Sequence, residues 1–370
     1  LPAFLRMSQF FSVSLADIQY SIAFFLAGLA FGQLFWGIVS EKYGRKKMLI
    51  VGMFLYALCS ILIFSIAHYP TMLFLRLLQG LSASSGLVLG RAILSDLYPP
   101  KDVAKILTTV FPVVGSIPAI APMFGTFLLH YFNWQSHFIF MAFVASLILL
   151  YLFFILKETH PNRVSKISIA HTFKSYFMVF NDHYFITQTV VVVVAYILYF
   201  LAIIMSPIFL FHYGATAVQV GYAYVGMTIF YIFGNLTAKY LLSKNVHLNK
   251  LYAIAYVSWI FTLVGMLINL YVGIEHPLQF MWPFCFIPYG NGFFLPIGIG
   301  SAIGNAKIKG VASGLIGFLQ IGLTAVLTKV FSDLIGYSLI KLLFVYGILM
   351  IFSCVYYYWF STLYKKEAKL

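Results

Sequence analysis

Three groups of residues combine types that can do chemistry. Glu41 and Arg45 flank the turn residue Gly44, and Asp96 closes the second apolar run after them. Acid and guanidinium at such spacing pair and latch helix ends; they do not make or break bonds. Arg76 and Gln79 lie three apart, on one helix face inside an apolar run, where a charge is costly and faces a cavity or a partner. Gly115, Pro118, Pro122 and Gly125 interrupt one long run, and such residues weaken a helix and let it bend or pack closely. The nine Asp and Glu all avoid the middle of apolar runs; Asp17 and Asp333, near run ends, are unconvincing proton carriers. There is no HExxH, GxSxG, P-loop or dinucleotide fingerprint, and the histidines show no ligand spacing. No enzyme, cofactor or metal is expected. Cys59, Cys285 and Cys354 sit singly in apolar segments and suit buried small residues.

The elements that hold these groups must be membrane helices. The chain has 370 residues, 62% hydrophobic and 9% charged. A soluble domain carries about a quarter charged residues to coat its surface, so lipid must cover most of this one. Eleven runs are long enough to cross a bilayer: 18–40, 47–68, 71–95, 104–130, 134–156, 184–211, 217–240, 250–272, 277–302, 310–333 and 338–362. The fold class is all-α and polytopic. The single long polar connector divides the chain into a bundle at 1–157, a linker at 158–182 and a bundle at 183–370. Leu1 opens on Leu-Pro-Ala-Phe, which reads as the exit of a helix lying upstream, so twelve helices are expected with the first one absent.

The net charge of +14 sets the orientation. With both termini in the cytoplasm, all of the 23 Lys and Arg except Arg6, Arg76, Lys329 and Lys341 fall on the cytoplasmic side. Basic residues cluster between apolar runs and do not interleave with aromatics on a polar ground, which excludes nucleic acid as a partner. A faint internal repeat, Gly37-Ile-Val-Ser-Glu-Lys-Tyr43 against Gly234-Asn-Leu-Thr-Ala-Lys-Tyr240, closes corresponding helices of the two halves.

Gly37 through Lys47, with Glu41, Lys42, Gly44 and Arg45, resembles the signature of the major facilitator superfamily between helices two and three, although Glu41 stands where Asp is usual. The lysines there serve equally well as ordinary cytoplasmic anchors. Arg76-Leu-Leu-Gln79-Gly80 matches that superfamily's RxxQG pattern. Gly115 to Gly125 looks like the antiporter motif of its drug:proton branch, similar to Bcr/CflA-like efflux proteins, with Thr126 where a second glycine is common. Lys157-Glu158-Thr159 echoes the same branch.

The resemblance implies two six-helix bundles in a bacterial inner membrane that rock about a midplane cavity, and a monomer. It implies export of drugs or small amphiphilic metabolites in exchange for protons, with Glu41, Arg45 and Asp96 as a cytoplasmic gate. The proton-carrying acid is expected on the absent first helix, close to Arg76. Phe24, Tyr196, Tyr199, Tyr222 and Phe284 are aromatic candidates for the cavity. Gln19, Gln33, Asn235, Asn291 and Gln320 are cavity groups or glue between helices. A carrier dedicated to one compound, such as a siderophore, or a receptor that no longer transports, remains compatible with these residues.

Overall fold

The computed structural model describes residues 3–160 and 169–367, with the side chains of 118–119, 122–123, 169–173, 217 and 361–367 outside the description. The regular elements among them are helices. In the first half these are α1 (Phe4–Phe11), α2 (Leu15–Tyr43), α3 (Arg45–Ser65), α4 (Tyr69–Leu97), α5 (Pro100–Tyr131) and α6 (Ser136–Phe154). Then come α7 (Ile169–Phe180), α8 (His183–His212), α9 (Ala217–Ser243) and α10 (Leu248–Val272). The chain ends with α11 (Pro277–Met281), a 3-10 turn, α12 (Phe286–Gly304), α13 (Lys309–Ile335) and α14 (Leu339–Glu367).

The expected class holds. Among the described residues ten segments are long and apolar enough to span a membrane, and α5, 32 residues long, corresponds to the remaining expected run. The run expected at 277–302 is built as α11, the 3-10 turn and α12 in succession. Two helices were not foreseen, α1 and α7. Both are short, and α7 lies within the polar connector, where its apolar residues are too few to register as a span.

Local chemistry sets where the helices begin and end. Ser14 Oγ accepts from the Asp17 backbone N–H at 3.1 Å, and Asp17 Oδ2 accepts from the Ser14 N–H at 3.1 Å. This reciprocal box starts α2 and commits the Asp17 carboxylate to a structural task. Thr216 and Gln219 start α9 the same way. Gly44, with φ at +92°, separates α2 from α3, a conformation that other residues rarely adopt.

The helices form two compact units. The first comprises Leu1–Leu97, Ile120–Val179 and Ala306–Gly322; the second comprises Tyr98–Ala119, Phe180–Asn305 and Leu323–Leu370. In the first, α2 crosses α4 so closely that a Cβ on Gly80 would lie 1.9 Å from the Phe25 carbonyl oxygen, and one on Gly28 2.0 Å from that of Leu77. In the second, α9 crosses α12 with Gly234 and Gly292 at the contact, and a Cβ on Gly234 would lie 2.1 Å from the Tyr289 oxygen. Small residues let backbones touch where lipid supplies no hydrophobic drive for association. Trp36, Val88 and Leu89 fill the core beside the first crossing. Trp259, Phe293 and Phe294 are buried in the second unit.

Candidate functional site: a paired charge cluster and an arginine inside the membrane

The first site grows from the turn at Gly44. Because α3 starts immediately after it, Arg45 points back along the end of α2. Its guanidinium meets Glu41 Oε1 at 2.7 Å and Asp96 Oδ2 at 3.1 Å, and donates to Ser40 Oγ at 2.6 Å. Arg45 is only 1% exposed. Glu41 has further partners in the same unit: the Gly310 backbone N–H in the first turn of α13 at 2.7 Å, and His160 Nε2 at 3.2 Å. A carboxylate there meets the positive end of a helix. Gly37 makes the approach possible, since a Cβ on it would stand 2.7 Å from the Gly310 oxygen. Glu158 Oε1 accepts from the Arg45, Thr159 and His160 backbone N–H groups at 2.9–3.0 Å, so it caps the start of α3. Lys42 takes no part; its ammonium lies 5.1 Å over the Tyr43 ring. With Arg45 paired to two acids, and Glu41 also holding a backbone N–H, the cluster ties the ends of α2, α3, α4 and α13 together.

The second site is Arg76, inside α4. It donates to Gln79 Oε1 at 2.6 Å and to the Ser21 carbonyl of α2 at 3.3 Å. Its guanidinium carbon stands 4.5 Å from the Phe25 ring centroid and 5.8 Å from that of Phe138, within reach of the rings' negative faces. Gln79 passes the chain on, donating through Nε2 to Ser60 Oγ at 2.7 Å. Among the described residues no ion pair includes Arg76: the cation is held by neutral groups. Gly80, next to Gln79, brings α4 against α2 and thereby places the Ser21 carbonyl and Phe25 beside Arg76.

The glycine- and proline-bearing helix is α5, continuous from Pro100 to Tyr131. Gly115 lies against Tyr231 of α9, where a Cβ would come within 2.5 Å of the ring. The Gly125 carbonyl oxygen stands 3.0 Å from His137 Nε2. The side chains of Pro118 and Pro122 lie outside the described residues.

The cavity candidates separate. Gln19 and Phe24 are exposed residues of α2 in the first unit. Tyr196, Tyr199 and Asn291 belong to the second unit. Tyr199 stacks on Tyr231 at 6.4 Å and 25°, and Tyr196 lies 5.2 Å from the Phe200 ring. Asn291 is 1% exposed and donates to the Ala195 carbonyl at 2.9 Å. One expectation fails: Phe284, 2% exposed, is packed between Phe280 and Tyr346, whereas Tyr222 is a 64% exposed residue of α9.

Sequence reasoning missed three partners. His160 is a lone histidine in a connector and carried no signal for Glu41. Arg91, grouped with the cytoplasmic anchors, is a residue of α4 that donates to Gln33 Oε1 at 2.9 Å, because α4 continues to Leu97. Tyr231 was one tyrosine of 26 and nothing in its neighbours marked it.

Membrane-length helices and glycine-mediated crossings define a multi-pass membrane protein. The chain belongs to the Major Facilitator Superfamily, whose family model matches residues 1–321. It is 24% identical to a bicyclomycin resistance protein homolog of Haemophilus influenzae, over 98% of this chain and 91% of that one. The chloramphenicol resistance protein CraA of Acinetobacter baumannii is 30% identical over 64% of this chain and 57% of its own length. Among solved structures, the human organic anion transporter MFSD10 superimposes with a TM-score of 0.69 at 14% identity, covering 96% of this chain and 88% of that one.

Proposed function

We propose that this transporter exports drugs or small amphiphilic metabolites in exchange for protons. Two bundles, 1–157 and 183–370, joined by a cytoplasmic linker at 158–182, alternate access to a shared cavity in a bacterial inner membrane. The linker and the carboxyl-terminal end face the cytoplasm, and the working unit is a monomer. The observation that carries the reading is Arg76, a cation inside a membrane span whose described partners are all neutral. A charge in that setting is expensive unless it has a task. The task assigned here is to bind a coupling carboxylate when that acid is ionised and to release it when the acid takes up a proton.

Glu41, Arg45 and Asp96 act as the gate. Glu41 holds the first turn of α13 in the closed state and lets it go when the cytoplasmic side opens. Gly115, Pro118, Pro122 and Gly125 let α5 pack and bend during that change. The named activities of the two resistance-protein relatives support drugs as the substrate class. Tyr196, Tyr199 and Asn291 offer aromatic faces and an amide to such compounds, with Gln19 and Phe24 contributing from α2.

The test is drug susceptibility in a host lacking its own major exporters. Expression should raise the inhibitory concentration of several amphiphilic compounds several-fold, and Arg76→Ala at equal membrane abundance should abolish the rise. A rise for one compound class alone would assign a dedicated carrier. No rise for any compound, together with no saturable flux, would make the protein a non-transporting relative.

A further inference from the structure

We infer that a cavity in the second unit is a binding site for the phosphate headgroup and upper carbons of an anionic phospholipid. The cavity has a volume of about 330 Å³. Its lining comes from helix ends: the start of α5 (Pro100, Lys101), the first turn of α8 (Tyr184), the end of α9 (Leu242), the start of α10 (Leu248) and the last turn of α12 (Ser301). Because the lining comes from the termini of five spanning helices, the cavity lies at headgroup depth and not at the midplane where transported compounds bind.

The packing that makes it is specific. A Cβ on Gly300 would stand 2.9 Å from the Ala104 backbone nitrogen, and one on Gly304 2.7 Å from Pro100 Cγ. The end of α12 is therefore fixed against the start of α5, and the space left beside that contact is the cavity.

Its chemistry is two-part. Lys101 is exposed at the rim, and its ammonium donates to Asn245 Oδ1, which positions the group and leaves two of its three N–H donors for a ligand. Tyr184 and Ser301 line the same space. Lys244 and Lys250 stand in the rim-forming segments on either side. The acids of those segments are Asp102, exposed beside Lys101, and Asp182, whose Oδ1 is occupied by the Phe185 backbone N–H at 3.1 Å. The local balance is positive. Most of the rest of the wall is carbon, from Pro100, Leu242, Val246 and Ile297 among others, with Asn305 donating to the Ser301 carbonyl at 2.8 Å. A free phosphate gains nothing from those walls, whereas glycerol and acyl carbons bury favourably against them. Basic residues at the cytoplasmic surface attract anionic lipid by about 1 kcal/mol each.

The experiment is native mass spectrometry of the purified, delipidated protein titrated with phosphatidylglycerol or phosphatidylcholine. Wild type should retain phosphatidylglycerol preferentially. Lys101→Gln should weaken that retention about fivefold, the factor that about 1 kcal/mol represents. Ser301→Leu, which fills the cavity without touching charge, should weaken it as well, and Lys341→Gln, a distant exposed lysine, should leave it unchanged. Thermal melting of each variant confirms that it is folded. Equal retention in wild type, Lys101→Gln and Ser301→Leu would overturn the inference. So would an equal loss in Lys341→Gln, which would mean bulk surface charge, or displacement of the lipid by equimolar glycerol 3-phosphate, which would mean a free-phosphate site. None of these readouts depends on proton coupling or on the drugs carried.

Discussion

Arg45 places a full positive charge almost out of solvent and surrounds it with two carboxylates and a hydroxyl. Removing one partner of a buried pair costs about 3–5 kcal/mol, because the charges left behind lose their compensation. Arg45→Ala strands Glu41 and Asp96 together and should lower the melting temperature in detergent markedly. Arg45→Lys should recover only part of the loss, since a single ammonium cannot reproduce the fork that meets Glu41, Asp96 and Ser40 at once. A melting temperature unchanged in Arg45→Ala would mean that the cluster is not held as described. This pairing was partly legible beforehand. The sequence named Glu41, Arg45 and Asp96 as a group. It carried no sign of the Gly310 N–H that Glu41 also holds, because Gly310 is 269 residues away and chain distance of that size leaves no local pattern. His160 was invisible for the same reason: one imidazole in a connector has no periodicity to read.

At the scale of the element, the helices were legible because apolar length is a strong signal, while their crossings were not. The RxxQG motif marks Gly80 but not as a crossing point: a Cβ on Gly80 would meet backbone at 1.9 Å, whereas one on Gly86 would meet nothing within 4 Å. Gly80→Ala should therefore destabilise by about 1–3 kcal/mol or more. Gly86→Ala should be neutral or stabilising by about 0.5–1 kcal/mol, since it only removes backbone freedom. Thermal melts of the two variants side by side check this directly, and equal behaviour would contradict the α2–α4 crossing.

The connector holds a second lesson at this scale. A stretch read as polar linker contains α7, whose Tyr176 hydroxyl donates to the Leu34 carbonyl of α2. Burial, and secondarily the nearby Glu41 charge, push the Tyr176 phenol well above its ordinary value of 10.0. A raised phenol contributes stability that is complete below its unfolded-state value and is lost only as the pH rises past it. Tyr176→Phe should thus cost about 1 kcal/mol, and the difference from wild type should stay constant between pH 6 and about pH 9. A difference that shrinks across that window would mean the phenol ionises early and the bond to Leu34 is not what holds α7.

On the scale of the whole molecule, the fold class followed from hydropathy, because lipid imposes long apolar helices on any chain that spans it, and the family followed from three motifs. The cavity was far less legible. Aromatics are 19% of the chain, so aromatic identity alone could not separate Tyr199, stacked on Tyr231, from Phe284, sealed in a core. The proposal that joins these scales is that Arg76 couples proton movement to export, and it is most directly tested by proton flux in inside-out membrane vesicles. Vesicles are acidified inside and then given a compound that the susceptibility panel identifies. The account predicts alkalinisation of the lumen on addition of the compound, and no response in Arg76→Ala protein at equal abundance. Compound uptake with no change in lumenal pH, or a response that survives in Arg76→Ala, would contradict it.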